Sequence, residues 1–597
     1  MSTSIVGQRV GSHLRAGAAR RLRAAWPLAL VILAGCRAGP LEERPGDLGP
    51  YADSDRLRAI DRLNLERFKV AGGAAGTEES SRREPALPMA PKDVTPDAAA
   101  AVTAKLRAQY QQAKKVELTL EAARVSALSS NLALRTALVD PLIAREALSA
   151  ERAKFDAVFT PGVSVVSTDP PRLSGPQGTP NARSVQTQIG SGVSIPLRTG
   201  GRVSVDLTQT YSDNNSPFDT DGTTTSPAAG FSVTLPLLRG AGRLVNTASI
   251  VIAGYNAQIV EAATKLRVIA TLAASDRAYW RLVAARQALD VTIAQYELAS
   301  DLLAKAQRRQ RAGSATGVDV LRAQSGVASR LDAIISAETN LLIVQRDFKR
   351  TVNMPGLALE DDVLVVPASQ PAPVEYALAE RSPELVNLAR ANRAELLQAE
   401  LQILADALNI DVARNNTLPA LDLSGGYTFN GIGTNQGEGL STLFQNRFQG
   451  YSGSLRAEVP LSNEAANARL RSAILTRLQR LSDRATQQQA IEQETLDAID
   501  RARSAWQRIM ASQQSSVLAG RTLEAEQRQF DAGLRTATDV LDASTRLADA
   551  QLAEIRALAD YQIALVDLAV ATGTTLGQAD VRWSPAEPVP VKSEKKP

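Results

Sequence analysis

The sequence predicts an α+β membrane protein in which long coiled-coil helices join an amphipathic β-sheet, the whole built as an internal two-fold repeat. Three observations predict it. No proline occurs between Pro236 and Pro355 or between Pro460 and Pro585, and both intervals are dense in Ala, Leu, Arg, Gln and Glu. Short segments of apolar–polar alternation interrupt the helical ones. A turn motif occurs twice, as RAGSATGVDVLRA at 311–323 and DAGLRTATDVLDA at 531–543.

The N-terminal residues read as an export signal. Arg20, Arg21 and Arg23 precede the apolar run AAWPLALVILAG and then Cys36, a basic flank before an apolar core too short for a permanent span. Leu33-Ala34-Gly35-Cys36 resembles a bacterial lipobox, which implies cleavage after residue 35 and diacylation of Cys36. Arg37 follows, where a retention signal for the inner membrane would place aspartate, so export to the outer membrane is implied. Residues 36–97, rich in Pro, Gly and charge, read as a flexible tether from the lipid, and 578–597 as a disordered tail.

Composition excludes several kinds of chemistry. His13 and Cys36 are the single histidine and cysteine, so His/Cys metal sites, Ser-His-Asp triads and Cys-His pairs cannot be assembled from the rest of the chain. No glycine-rich phosphate loop or paired-acid motif stands out, and neither an enzyme nor a cofactor is expected. Lys plus Arg (67) nearly balance Asp plus Glu (63) without a basic patch interleaved with aromatics, which argues against nucleic acid as a partner.

The helices come first in the body. A helix over about 241–311 is expected to run roughly 100 Å at about 1.5 Å per residue. Val320, Val327, Ile334, Leu341 and Phe348 recur every seventh residue, the pattern of a coiled-coil seam. Pro141 falls inside the first helical segment, where a kink or break is expected. Trp280 and Trp506, at corresponding places in the two halves, are expected to pack.

The strands change the period from about 3.6 to 2. In ALDLSGGYTF, Leu421, Leu423, Tyr427 and Phe429 share one face while Asp422, Ser424 and Thr428 share the other; GSLRAEVPL, VSVDLTQTY and FSVTLPL alternate in the same way. Such alternation suits a barrel wall around a wet lumen, although a half-buried soluble sheet gives the same pattern. No run after the signal approaches the roughly 18 to 20 apolar residues of a spanning helix, so a mature chain that crosses a membrane does so as a β-barrel. Aromatics concentrate around the strands (Phe155, Phe159, Tyr211, Phe218, Phe231, Tyr427, Phe429, Phe444, Phe448 and Tyr451), where some suit interfacial girdles.

The repeat sets the domain order: helix, strands, long helix, turn, long helix, performed twice. The first repeat takes 98–367, with strands over about 158–237 and a helical hairpin over 241–353. The second takes 368–577, with strands over about 418–461 and a hairpin over 464–572. Pro161 and Pro236 lie 75 positions apart, whereas Pro419 and Pro460 lie 41 apart, so the first half carries 34 extra residues between its strands. That excess reads as a β-hairpin turning at RTGGR, either lengthening the wall or standing outside it.

The element order, the A-G-x-x-T-x-x-D-V-L turn in both halves, the strand-ending TLPL and EVPL, ALAERSPEL at 377 and VARNNTLPALDLSGGY at 412 together resemble the TolC outer-membrane efflux family over roughly residues 115–577. The resemblance implies a homotrimer in which strands from each protomer form one shared β-barrel that continues into a long α-helical coiled-coil tunnel. It implies four strands per protomer before the excess is counted. It also implies an exit duct of a tripartite efflux or type I secretion system, working with a periplasmic adaptor and an inner-membrane transporter. The two turns would be the periplasmic tips that meet the adaptor, which makes Gly313, Thr316, Asp319, Gly533, Thr536 and Asp539 candidate docking residues. Their types also suit a helix stop followed by a helix start. Asp531 and Glu526 are candidates near the tunnel mouth. A non-conducting coiled-coil lipoprotein scaffold is the alternative, and paired amphipathic strands argue for the duct.

Overall fold

The computed structural model describes residues 114–168, 184–214, 222–361, 363–371, 373–378 and 380–581. The signal, Cys36, the tether and Phe218 lie outside them. The elements alternate as expected: β1 (Lys115–Leu118), α1 (Leu120–Ser130), α2 (Leu132–Ala137), α3 (Asp140–Ala153), β2 (Val158–Thr168), β3 (Ser184–Pro196), β4 (Arg202–Asn214), β5 (Thr223–Pro236), α4 (Arg243–Arg311) and α5 (Gly317–Val352). The second half follows as β6 (Leu364–Pro367), α6 (Ser382–Asn392), α7 (Ala394–Asn415), β7 (Ala420–Asn430), α8 (Gln436–Phe444), β8 (Phe448–Glu458), α9 (Glu464–Asp531), α10 (Ala537–Ala571) and α11 (Thr575–Gln578). The last of these elements ends at Gln578.

Uninterrupted helix formers let α4 reach 69 residues and α9 reach 68. Each folds back on a shorter partner, α4 on α5 and α9 on α10. The heptad Val320, Val327, Ile334, Leu341 and Phe348 is buried throughout, as a seam facing a partner helix requires. Trp280 is buried edge-on to Tyr279, and Trp506 is half-buried against Tyr561. Pro141 does break the helical segment: α2 ends at Ala137 and α3 restarts at Asp140 with the proline in its first turn, where a missing N–H has no helical carbonyl to lose.

A small mixed core surrounds the middle of the α4/α5 pair. There β1 and β6 pair in parallel, Val116 opposite Val365. The fully buried Tyr279 hydroxyl donates to the Leu118 carbonyl (3.1 Å) and accepts from the Ser369 N–H (2.9 Å), tying both strand ends to α4. Nearby, Arg124 grips Asp276 with two bonds of 2.8 and 2.7 Å. That contact and burial act oppositely on the guanidinium, and the contact prevails, raising its affinity for its proton. Arg277 on α4 reaches Asp567 on α10 at 2.7 Å, joining the two helical hairpins.

The main sheet has six strands in the order β2-β3-β4-β5-β7-β8, every neighbour antiparallel. The sequence excess is therefore part of the sheet: β3 and β4 insert between β2 and β5, so the sheet has six strands where the resemblance implies four before the excess is counted. β2 and β8 form the two edges.

Candidate functional site: paired helical tips and a two-faced sheet

The six predicted tip residues come together at one end of the helices, and the two tips share one construction. α4 closes with a Schellman stop: the Ser314 N–H reaches the Arg309 carbonyl (2.8 Å), the Gly313 N–H reaches Gln310 (3.0 Å), and Gly313 takes φ +74°. α9 closes identically, with Leu534 N–H to Gln529 (2.9 Å), Gly533 N–H to Phe530 (2.9 Å) and Gly533 at φ +79°. Three residues after each glycine a capping box starts the next helix. Thr316 Oγ1 accepts from the Asp319 N–H (3.3 Å) while Asp319 Oδ2 accepts from the Thr316 N–H (2.9 Å). Thr536 and Asp539 repeat the pair at 3.4 and 2.9 Å.

These bonds hold the charged form of both carboxylates. Asp319 lies below the usual aspartate range because the Thr316 hydroxyl and then its backbone N–H donate to it; Asp539 is lowered by the Thr536 N–H and then its hydroxyl.

The tips also touch each other. Arg309 donates to the Phe530 carbonyl at 2.8 Å and lies 4.1 Å over the Phe530 ring, so a cation sits at the carbonyl end of α9. Lys305 pairs with Asp531 (3.3 Å), and Glu526 pairs with Arg535 (3.4 Å). Both candidate mouth carboxylates thus have partners within the protomer. Sequence reasoning missed the apolar side chains at this end: Leu534 is 77% exposed, and Val318 and Leu321 are also exposed. Leu534 sits where a Schellman motif often packs an apolar side chain onto the helix it ends, and its exposure shows that the folding role does not use it.

The sheet is two-faced across its width. Pairing places Val163 beside Ile189, Val193 beside Val205, Val205 beside Phe231, Phe231 beside Tyr427, and Tyr427 beside Tyr451. Val163, Ile189, Val205, Phe231 and Tyr451 of this apolar band are exposed, and Val193 and Tyr427 are half-buried. The opposite face carries Ser164, Gln188, Thr210, Ser226 and, farther along, Ser424 and Ser454, the last two bonded at 2.6 Å. Solvent exposure of a contiguous apolar band this broad is unusual for a soluble sheet; apolar outside and polar inside is the barrel arrangement. Tyr427, Phe429 and Tyr451 cluster, with ring centroids 4.5 and 4.9 Å apart. Their place near the β7–α8 end of the wall suits one arc of an aromatic girdle.

Both lateral edges are open. Every residue of β2 is exposed, as is nearly all of β8. α3, which leads into β2, exposes Ile143, while α9, which leaves β8, exposes Ile474, Leu475, Leu478 and Leu481 on its early turns. Among the described residues no group of ligating side chains fits a metal, and no helix is long and apolar enough to cross a membrane.

Comparison with known proteins agrees with this geometry. The sequence pattern described as outer membrane efflux protein matches residues 203–351 and 385–574, one segment in each repeat and together more than half of the chain. The chain belongs to the outer membrane efflux protein family. Among curated relatives it is similar to the outer membrane protein TolC of Vibrio cholerae, 27% identical over 203 residues, which are 34% of this chain and 45% of that protein; the chain thus spans a little under half the length of the relative it matches. Among solved structures, the outer membrane protein VceC of Vibrio cholerae aligns with a TM-score of 0.55 and 16% identity, over 76% of this chain and 96% of its own. The CmeC outer membrane channel of Campylobacter jejuni aligns at 0.56 and 14% identity, over 76% and 86%. These likenesses establish a shared fold.

Proposed function

We propose that this protein is a passive exit duct: a homotrimer whose sheets close one β-barrel in the outer membrane and whose helices continue it as a tunnel through the periplasm. One observation carries the reading. The protomer is an open stave whose two sides complement each other, with β2 and α3 on one side and β8 and α9 on the other. In lipid an unpaired strand edge leaves backbone groups that nothing satisfies. β8 and β2 run in opposite directions because the strand number is even, so β8 of one copy pairs antiparallel with β2 of the next, while the exposed stripe of α9 meets α3. The polar sheet face then lines a wet bore, and passage through it needs neither catalysis nor a cofactor.

The tips meet a periplasmic adaptor belonging to an inner-membrane transporter. Gly313, Thr316, Asp319, Gly533, Thr536 and Asp539 shape the two turns, and Leu534, Val318 and Leu321 supply apolar contact. Diacylated Cys36 adds a lipid anchor in the same membrane; mass spectrometry of the N-terminal peptide tests it, with an unmodified thiol as the contrary result.

Reconstitution into planar bilayers tests the duct. Stable conductance from purified oligomer is expected; a well-folded oligomer that never conducts would favour the envelope scaffold. A photoreactive residue at Leu534 or Ala315 tests docking: crosslinks to a periplasmic protein are expected, and their absence while transport proceeds would remove the docking assignment.

A further inference from the structure

We infer that the hairpin carried by the first repeat alone widens the outer-membrane barrel by half, from a twelve-stranded to an eighteen-stranded wall, without widening the helical tunnel. The inference deepens the duct reading and rests on its three-fold closure.

Three observations place the hairpin in the wall. It is paired along its whole length, β3 with β2 from Val158↔Ser194 to Thr168↔Ser184 and β4 with β5 from Arg202↔Thr234 to Asp213↔Thr223. Its two faces also continue those of its neighbours: Val185, Ile189, Val193 and Ile195 of β3 fall on the apolar face, with Gln186 and Gln188 on the polar one. A flap lying outside a barrel would need one face against the wall and one against lipid, and would read as apolar on both.

The third observation is the turn, which is locked into the junction between sheet and helices. The Leu197 N–H reaches the Gly201 carbonyl (2.7 Å), and the Gly242 N–H at the start of α4 reaches the Thr199 carbonyl (3.1 Å). Gly200, at φ +96°, has no room for a Cβ against the Gly240 carbonyl and Asn246. The family match begins at residue 203, inside β4, so β2 and β3 fall outside the matched pattern.

The second repeat contributes two strands, and the first would contribute two without the hairpin; three copies of four give twelve, and three copies of six give eighteen. At a strand spacing of about 4.8 Å and a tilt of about 40°, the wall diameter is about 24 Å for twelve strands and about 36 Å for eighteen. The polar face near β2 and β3 carries Gly162, Gly190 and Gly192, which add no side chain to the bore. The hairpin adds no helix. Size selection in this duct therefore belongs to the helical end, and the membrane mouth is wider than a four-strand stave would make it.

Strand counting by cryo-electron microscopy of the detergent-extracted full-length oligomer tests this directly. Eighteen strands and a mouth near 36 Å are expected. A closed twelve-stranded wall with β3 and β4 outside it would overturn the inference and leave the duct intact, whereas an oligomer with no closed wall would overturn both. Disulfide trapping in intact outer membranes gives a second readout, with the parent protein, whose single cysteine is Cys36, as the control. The pair Val163→Cys with Ile189→Cys is expected to crosslink; crosslinking of Val163→Cys to cysteines along β5 instead would show β2 pairing past the hairpin and refute the proposal.

Discussion

Gly313 and Gly533 carry the clearest residue-scale demand, because both sit in the left-handed region and both have open space where a Cβ would go. The cost of Gly→Ala at either is therefore conformational, about 1 to 2 kcal/mol. Hydrogen exchange is expected to show faster opening of the affected tip only, and equal protection in variant and parent would contradict the strain. The carboxylates beside them make a pH prediction. Asp319 and Asp539 are lowered in the folded state, so their contribution is complete above the unfolded aspartate value, about 3.9, and fades as pH falls through the lower folded values. Tip protection is expected to hold from pH 8 to about 5 and to loosen only below about 4; loosening near pH 6 would assign the transition to other groups. These residues were legible because the motif occurs twice with the same glycine, threonine and aspartate. Leu534 was not: its position in the stop motif is visible in sequence, but only the fold shows that it is left uncovered.

At the scale of elements, the seam of α5 is the strongest case of sequence dictating packing. Leu341 lies 1% exposed in the seam, and Leu341→Ala is expected to lower stability by about 2 to 5 kcal/mol through lost burial and the cavity left behind. Denaturant titration checks it, and a loss under about 1 kcal/mol would mean that the helices collapse around the gap. A period of seven sustained over five positions is hard to mistake, and so is an excess of residues between two matched prolines. Four-residue strands lack such a signature. KVEL and LVVP pair across about 250 positions as β1 and β6, and neither is long enough to show a period. α8 was missed for a different reason: its two glycines argue against helix, yet the Asn435 side chain caps it and Glu438 holds Thr434 at 2.7 Å. Whether the added hairpin joins the wall was open in sequence because its strand partners cannot be read there; its pairing with β2 and β5 and the locked turn support the place in the wall inferred above.

At the scale of the molecule, the sheet edges and the helix seam make the protomer an incomplete object. Leu478→Asp on the uncovered stripe of α9 is expected to leave the protomer's own helical hairpins intact by circular dichroism while shifting the oligomer toward monomer in sedimentation. An unchanged oligomer would show that this stripe is not a contact. The closure itself is tested most directly by cysteines on opposite edges of one chain, Val163→Cys on β2 with a scan along β8 from Ser452 to Leu455, with the parent protein, whose single cysteine is Cys36, as the control. Four strands separate these edges within a protomer, so a disulfide between them must join neighbours around the ring. The account predicts a covalent ladder that stops at the trimer; an internally crosslinked monomer, or a protein that forms no crosslink at any position of the scan, would contradict it.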